Sequence, residues 1–268
     1  MKTTIEYSTI KCRKDEFLAI LSIDSPPANV FTKGLIEDLD IAFDHLSLDD
    51  SVRAILITSL NKTIFLSGGD LKSAVDCMKK GEIKAQLNYV QSIQKIIAKL
   101  EKMPKPTIAS INGHALGGGC EFIMACDFRL MANDNKLQIG IPEIDLGFTP
   151  AVGGLYRISR KFGQQIALKM GFGFRLTAQE AFNIGLVDDL YPPDELLTKS
   201  IEFAKKMAEL PTKAAALIKR VVIEGFDKKI EDVYKLELRC LEEALMTEDA
   251  KEGINAFLEK RKPIFKGK

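Results

Sequence analysis

Two glycine turns and two glutamates are the residues of this sequence best suited to chemistry. The segment SINGHALGGGCEF (110–122) contains three consecutive glycines, and Glu121 stands three residues after Gly118. An earlier segment, TIFLSGGDLKS (63–73), places Gly69 before Asp70. Each turn separates a strand pattern from a helix pattern, where the first N–H groups of the helix have no partner within it. Two such turns can offer two N–H donors to one oxygen that is acquiring negative charge.

The carboxylates offer acid and base chemistry at the same place. Glu121 lies about one helical turn beyond Gly118, so it can act where that N–H group acts. Glu143 follows Pro142 among apolar neighbours, where burial of an unpaired carboxylate is costly and raises its pKa. Each feature also has a plainer interpretation: a packing turn for the glycines, a favourable helix-dipole contact for Glu121, and a surface or capping position for Glu143.

Several other classes of site lack their sequence signals. Nucleotide-binding GxxxxGK[ST] and GxGxxG motifs are missing, as is the GxSxG of serine hydrolases. Five scattered cysteines without a CxxC pair, and two histidines, predict no metal site and a reducing compartment. Lys plus Arg number 38 against 37 Asp plus Glu, which argues against nucleic-acid and membrane partners. Because the start of the sequence has no long apolar run, we expect a cytoplasmic protein.

Alternating strand and helix patterns must position these residues. Buried strands are predicted at FLAILSID (17–24), VRAILITS (52–59) and PTIASING (106–113), with amphipathic helices at 34–47 and 85–102. After Asp127 one strand pattern, FRLMA, is followed by helical patterns. Thr177 and Glu180 form a capping-box signature there, and Gly185 predicts the end of that helix. A layered βα core followed by a mostly helical region is therefore expected.

Taken together, these segments resemble the crotonase, or enoyl-CoA hydratase/isomerase, superfamily. The resemblance rests on SGGD (67–70), INGHALGGGCE (111–121), CDFRLMA (126–132), PEIDLGFTPAVGG (142–154) and the tail beginning at EDAKEG. It implies an α/β fold, a spiral of repeated ββα units over residues 1–195. Residues 196–268 would be a C-terminal helical trimerisation region.

The resemblance also implies roles for individual residues. The N–H groups of Gly69 and Gly118 would form an oxyanion hole for a thioester carbonyl. Glu121 would hold and activate a water molecule, and Glu143 would donate a proton, so that an α,β-unsaturated acyl-CoA is reversibly hydrated. His114 is expected to be a structural side chain.

Substrate binding is implied in the same way. Coenzyme A would enter as part of the substrate, and no separate cofactor is expected. The helix after Asp70, with Phe148 and Thr149, is expected to line the acyl pocket. A trimer or a pair of stacked trimers would bring Lys260 of one subunit towards the nucleotide of another. The implied substrate-binding residues are Pro27, Ala28, Ser67, Gly68, Asp70, Leu71, Leu116, Gly117, Phe148 and Lys260.

Two alternatives remain open at this point. The same oxyanion hole could serve an isomerase, a thioester hydrolase or a decarboxylase, although two glutamates favour hydration. A non-catalytic acyl-CoA-binding protein could retain the fold. The stretch between Asp127 and Glu143 is also two residues longer than in typical hydratases, so Glu143 is expected to approach from a shifted loop.

Overall fold

The computed structural model describes residues 7–268 of the chain, which form α/β layers. The strands in this range are β1 (Ile10–Asp15), β2 (Leu18–Ile23), β3 (Val30–Phe31), β4 (Ala54–Ser59), β5 (Ile64–Leu66), β6 (Gly68–Gly69), β7 (Thr107–Ile111), β8 (His114–Leu116), β9 (Phe128–Ala132), β10 (Gln138–Gly140), β11 (Arg175–Thr177) and β12 (Asp189–Tyr191). The helices are α1 (Lys33–Leu48), α2 (Leu71–Lys80), α3 (Ile83–Glu101), α4 (Gly118–Ile123), α5 (Gly154–Phe162), α6 (Gln164–Gly171), α7 (Ala178–Asn183), α8 (Leu196–Ala208), α9 (Thr212–Gly225), α10 (Ile230–Leu245) and α11 (Glu248–Leu258). A 3₁₀ turn covers Glu143–Leu146.

The strands form two main sheets and a short ribbon. The first sheet has the order β1-β2-β4-β7-β9-β12, and all its pairs are parallel except β1 with β2. The second has the order β11-β10-β8-β5, and its β5, β8 and β10 run parallel. The ribbon pairs β3 with β6 in parallel.

Successive turns of the chain repeat one pattern. The pairs β4 and β5, β7 and β8, and β9 and β10 each place their first strand in the first sheet and their second strand in the second sheet. Each pair is followed by helix before the next strand of the first sheet. The spiral of ββα units implied by the family resemblance is therefore confirmed.

Continuous apolar runs account for the centre of this arrangement. Every residue of β4 and β7 is buried, as expected for parallel strands covered on both faces. Helix α8 covers part of the first sheet by packing on β4, β7 and β9. Between the layers, the ring of Phe122 lies 6.4 Å from that of Phe43 and 6.1 Å from that of Phe31. These contacts anchor α4, the helix that carries Glu121, in the core.

Long apolar segments were predicted correctly, whereas some short or polar elements were not. The three predicted strands correspond to β2, β4 and β7, and the capping box of Thr177 and Glu180 begins α7. The sequence patterns did not predict α6, the polar edge strand β1 or the three-residue strands β8, β10 and β11 of the second sheet. The division at residue 195 stays a prediction. Helix α8, which follows it, packs on the first sheet, and α9 packs on α10.

No helix in residues 7–268 is both long and apolar enough to cross a membrane.

Candidate active site

The candidate site lies where three neighbouring parallel strands end. Strands β5, β8 and β10 are adjacent in the second sheet, and the carboxyl ends of parallel strands share one edge. The turn at Ser67–Gly69 follows β5, the turn at Gly117–Gly118 follows β8, and Glu143 follows β10. The N–H of Gly117 donates to the carbonyl of Gly140 at 2.8 Å, which ties two of these segments together. Residues separated by some 75 positions in sequence thus meet at one edge.

The two glycine turns are in direct backbone contact. A Cβ atom placed on Gly68 would lie 2.9 Å from the backbone nitrogen of Gly118, and one placed on Gly118 would lie 3.2 Å from the Cα of Gly68. Gly68 also has a φ of +98°, which residues with side chains rarely adopt. Side chains on these turns would therefore push them apart.

The three consecutive glycines have different neighbours. Gly117 has a φ of +56°, and a Cβ there would lie 2.7 Å from Oε1 of Glu143. A Cβ on Gly119 would lie 1.9 Å from the carbonyl oxygen of Leu66, which no adjustment of a side chain could relieve. The packing-turn interpretation is therefore correct for Gly119. Gly117 instead makes room for a carboxylate.

Glu121 is buried and held through one oxygen. Its side chain projects from the first turn of α4, and the residue is 2% exposed. Oε1 accepts hydrogen bonds from the N–H of Val152 at 3.1 Å and the N–H of Gly154 at 2.7 Å. Burial raises the pKa of Glu121, and these two N–H groups oppose the rise. The two amides orient the carboxylate through Oε1, and no residue in the range 7–268 donates to Oε2.

Glu143 is the second carboxyl at this edge and is more weakly held. Its Oε2 is buried and accepts no hydrogen bond from residues 7–268. Burial, followed by the negative charge of Glu121, raises the pKa of Glu143 to about 7. The carboxyl is thus able to hold a proton near neutral pH, in line with the expectation from its apolar neighbours. Its contact with Gly117 places it at the glycine turns despite the longer loop before it.

The Pro27–Ala28 loop lies beside the first glycine turn. The hydroxyl of Ser67 donates to the carbonyl of Ala28 at 2.7 Å, and Nδ2 of Asn61 donates to that of Pro27 at 3.0 Å. Asn29, which is 1% exposed, ties this loop to the core by accepting from the N–H of Ser25 and donating to Oγ of Ser59. Three of the predicted substrate-binding residues are therefore brought together.

Other predicted residues flank the two glycine turns in the sequence. Asp70 caps α2 by accepting from the N–H groups of Lys72 and Ser73, and Leu71 follows it on the surface. Leu116 ends β8 directly before Gly117. His114 has the structural role predicted for it, since its Nδ1 accepts from the N–H of Gln138.

Phe148 and Thr149 border an apolar cleft of about 550 Å³. Its other walls come from Ile144, next to Glu143, and from α5 and α6, with Leu155 next to Gly154. None of its lining residues belongs to α2, the helix expected to contribute to an acyl pocket. Lys260 is exposed beyond the end of α11, and its predicted contact requires a second subunit.

Sequence reasoning missed the groups that hold Glu121. The N–H groups of Val152 and Gly154 have no side-chain signature, and the only available signal was the pair of glycines in the VGG segment. A Cβ on Gly154 would lie 2.2 Å from Cγ of Glu121, so this glycine allows the close contact.

Comparison with known proteins identifies the family of this chain. A family model described as enoyl-CoA hydratase/isomerase matches residues 13–268. The chain belongs to the enoyl-CoA hydratase/isomerase family. The resemblance drawn from the sequence motifs, and with it the prediction of an enzyme, is confirmed.

Individual family members match over nearly their whole length. A probable enoyl-CoA hydratase of Bacillus subtilis is 37% identical over 262 residues, covering 97% of this chain and 99% of the relative. A crotonyl-CoA hydratase of Syntrophomonas wolfei is 35% identical, covering 97% and 98%. The crystal structure of an enoyl-CoA hydratase from Bacillus anthracis superposes with a TM-score of 0.90 at 31% identity, covering 97% of this chain and all of the other.

Proposed function

We propose that this enzyme reversibly hydrates an α,β-unsaturated acyl-CoA thioester to the 3-hydroxyacyl-CoA. The observation that carries the proposal is the meeting of two carboxyl groups, Glu121 and Glu143, with two glycine turns at one sheet edge. The reaction requires a polarised carbonyl, a water molecule directed at Cβ and a proton delivered to Cα. These groups can supply all three.

The thioester oxygen would accept hydrogen bonds from the N–H groups of Gly69 and Gly118. Charge builds up on this oxygen as water adds to Cβ, because the intermediate is an enolate. Fixed N–H donors stabilise that charge without having to reorient. Contact between Gly68 and Gly118 supports this pairing, because it places the two turns next to each other.

The two glutamates would divide the proton transfers. Glu121, fixed through Oε1 by Val152 and Gly154, would use its free oxygen to hold the water and take its proton. Glu143, whose pKa lies at about 7, would give its proton to Cα. In the reverse direction the same groups exchange roles. General acid and base groups placed in this way typically contribute about 10²–10⁴-fold each.

Hydration is favoured over double-bond isomerisation by the presence of both carboxyls. An isomerase moves one proton between two carbons and can do so with a single carboxyl group. A second carboxylate held by two backbone amides has a use when a water molecule must also be activated. The names of the B. subtilis and S. wolfei relatives point the same way.

Turnover of a thioester panel in deuterated water tests the proposal. The purified enzyme is incubated with crotonyl-CoA and with branched, cyclic and longer enoyl-CoA thioesters, and products are identified by mass spectrometry. Addition of one water with one deuterium at Cα is expected for at least one of them. Loss of carbon dioxide, release of free coenzyme A, or a shifted double bond without water addition would contradict hydration.

Matched variants connect that activity with the two carboxyls. Glu121→Gln and Glu143→Gln should each lower kcat by at least about 10²-fold while acyl-CoA still binds, because the isosteric amide removes only the proton transfer. Gln179→Glu, on the exposed face of α7, serves as a control in which a carboxyl group is added elsewhere.

Coenzyme A binding and oligomeric state form the second part of the proposal. The nucleotide would lie along the Pro27–Ala28 loop, with Lys260 of a neighbouring subunit beside it, in a trimer or a pair of stacked trimers. Support comes from an apolar stripe on α10, whose exposed members recur every three or four residues: Ile230, Tyr234, Leu238, Leu241 and Leu245. An exposed apolar stripe along one surface helix is typical of a contact with another protein chain.

A further inference from the structure

A tyrosine on helix α3 makes two hydrogen bonds around the first glycine turn. The hydroxyl of Tyr89 donates to the carbonyl of Phe31 at 2.5 Å and accepts from the N–H of Asp70 at 2.9 Å. Phe31 is the residue that pairs with Gly69 in the two-stranded ribbon, and Asp70 is the residue after Gly69. One hydroxyl group therefore contacts both the strand residue paired with Gly69 and the residue that follows Gly69.

These bonds add a further constraint to a segment that β3 and the second glycine turn already contact. Gly68 and Gly69 carry no side chains, and glycine has more backbone freedom than any other residue. Pairing with β3 fixes the segment on one side. The bond from Asp70 to Tyr89 fixes the peptide group that follows Gly69. A Cβ on Gly69 would lie 3.5 Å from the tyrosine oxygen, an ordinary van der Waals distance, so the hydroxyl lies close beside this glycine.

Helix α3 is a firm support for this side chain. Further along the same helix, Ile93, Ile96, Ile97 and Leu100 are buried in the core. Tyr89 itself is half-buried, and burial raises its pKa, so the hydroxyl keeps the proton that it donates to Phe31. Both hydrogen-bonding roles are thus stable across ordinary pH values.

We propose that Tyr89 is a positioning residue, whose hydroxyl holds the N–H of Gly69 in the direction required to bind the thioester oxygen. The inference rests on the proposed function. Tyr89 itself does not touch the substrate. It acts through the peptide groups of Phe31 and Asp70, which hold Gly69 in place.

The variant Tyr89→Phe removes the hydroxyl and keeps the ring. A misdirected donor should cost about 10- to 100-fold in kcat, less than the ~10²–10³-fold loss that follows complete removal of such a donor. KM should change by less than about 3-fold, since coenzyme A contacts remain. Tyr191→Phe is the matched control, because its hydroxyl bonds to Asp189 at the far edge of the first sheet.

Carbonyl polarisation gives a second measurement that a purely structural role would not change. The probe is 4-dimethylaminocinnamoyl-CoA, whose absorption moves to longer wavelength when hydrogen bonds polarise its carbonyl. We expect the bound probe to show a clear red shift with the wild type and with Tyr191→Phe, and at most half that shift with Tyr89→Phe.

The outcomes separate this inference from the proposed reaction. A full shift and unchanged kcat in Tyr89→Phe would overturn the positioning role, as would a loss confined to thermal stability. A wild type that shifts the probe but hydrates no thioester would contradict the proposed reaction, and the shift in Tyr89→Phe would still decide the role of Tyr89. A wild type that binds the probe with no shift would overturn the oxyanion hole and Tyr89's role with it.

Discussion

At the scale of single residues, the chemistry depends on how differently two glutamates are held. Glu121 has two backbone donors on one oxygen, whereas Glu143 has a buried oxygen without a donor from the described residues. Burial raises both pKa values, but only Glu121 has amide donors from the packed loop to oppose the rise. This difference supports the proposal that Glu121 is the base and Glu143 the acid.

The first prediction concerns the pH dependence of catalysis. In the proposed mechanism, hydration needs Glu121 ionised and Glu143 protonated, so the pair must carry one proton between them. Above about pH 7 that proton is lost from Glu143, and kcat/KM should fall about tenfold per pH unit. At lower pH, protonation of Glu121 should produce the opposite limb.

The reverse reaction provides an internal check on that profile. Dehydration also needs one proton on the pair, and the hydration equilibrium does not consume protons. Rates measured with crotonyl-CoA and with 3-hydroxybutyryl-CoA should therefore show the same pH profile in kcat/KM. A flat profile between pH 6 and pH 9 in a stable enzyme would exclude Glu143 as the acid.

The second prediction concerns stability. The pKa of Glu143 is about 7 in the folded protein against an ordinary value of 4.5, so the proton on Glu143 favours the folded state. Its contribution to the free energy of unfolding is fully present below pH 4.5 and is lost as the pH rises through about 7. Glu143→Gln, which cannot ionise, should therefore stabilise the protein more at pH 8 than at pH 5. We expect a difference of roughly 1–2 kcal/mol, because partial exposure reduces the full effect of the shift.

Chemical denaturation at both pH values measures this difference. The control is Glu37→Gln, which replaces an exposed carboxyl group on α1. Equal changes in the free energy of unfolding at pH 5 and pH 8 for Glu143→Gln would show that folding does not disfavour the ionised form of Glu143.

At the scale of the elements, the site depends on strand ends and on the turns that follow them. Strand β10 brings Glu143 to the turn after β8, and α4 carries Glu121 from that same turn. Arg157 supports the loop that binds Glu121: it donates to the carbonyl of Val152 at 3.2 Å and pairs with Glu101 through two hydrogen bonds. The hydrogen bonds of Arg157 are with Val152 and Glu101, and they do not include the carboxyl groups of Glu121 and Glu143.

The third prediction tests the close contact between a turn and an acid. Gly117→Ala would place a Cβ 2.7 Å from Oε1 of Glu143 and should displace this carboxyl. We expect kcat to fall by about 10²-fold, since a shift of about 1 Å is enough for such a loss. Steady-state kinetics and thermal melting should be measured together.

Gly185→Ala is the matched control for this variant. Gly185 also has a positive φ, +73°, but a Cβ there would meet nothing within 4 Å. It should lose stability by about 1 kcal/mol and keep its kcat. If both variants lose stability but keep the wild-type kcat, the contact between Gly117 and Glu143 is not important for catalysis.

At the scale of the whole molecule, the exposed apolar stripe on α10 is the surface on which the proposed assembly depends. Its side chains are more than half exposed, from 53% for Leu241 to 67% for Leu238. Since α10 also packs against α9 through its other face, the stripe is free to meet a second copy of the chain.

The fourth prediction is that this stripe holds the subunits together. The wild type should have the mass of a trimer or hexamer at micromolar concentration in light scattering. Leu238→Glu combined with Leu241→Glu should shift it towards the monomer, because charges would be buried in the contact. Arg239→Glu, on the same helix but away from the stripe, should not. A monomeric wild type would exclude the proposed assembly.

The fold was predictable to the extent that apolar patterns are long. Strands β2, β4 and β7 are continuous apolar runs, and helices α1 and α3 bury apolar residues at helical spacing, so local sequence indicates them. The family motifs then identified the spiral. The three-residue strands β8, β10 and β11 have no such pattern, since their pairing partners come from distant parts of the chain.

The sequence by itself determined which residues of this protein could do chemistry: Glu121, Glu143 and the two glycine turns stood out by type and spacing. Only the tertiary structure decided how they meet, because adjacency in a parallel sheet follows from strand order and not from distance along the chain. It also decided which groups hold them. The amides of Val152 and Gly154 and the hydroxyl of Tyr89 make their hydrogen bonds only after folding. No side-chain type in the sequence marks a backbone amide that will bind a carboxylate.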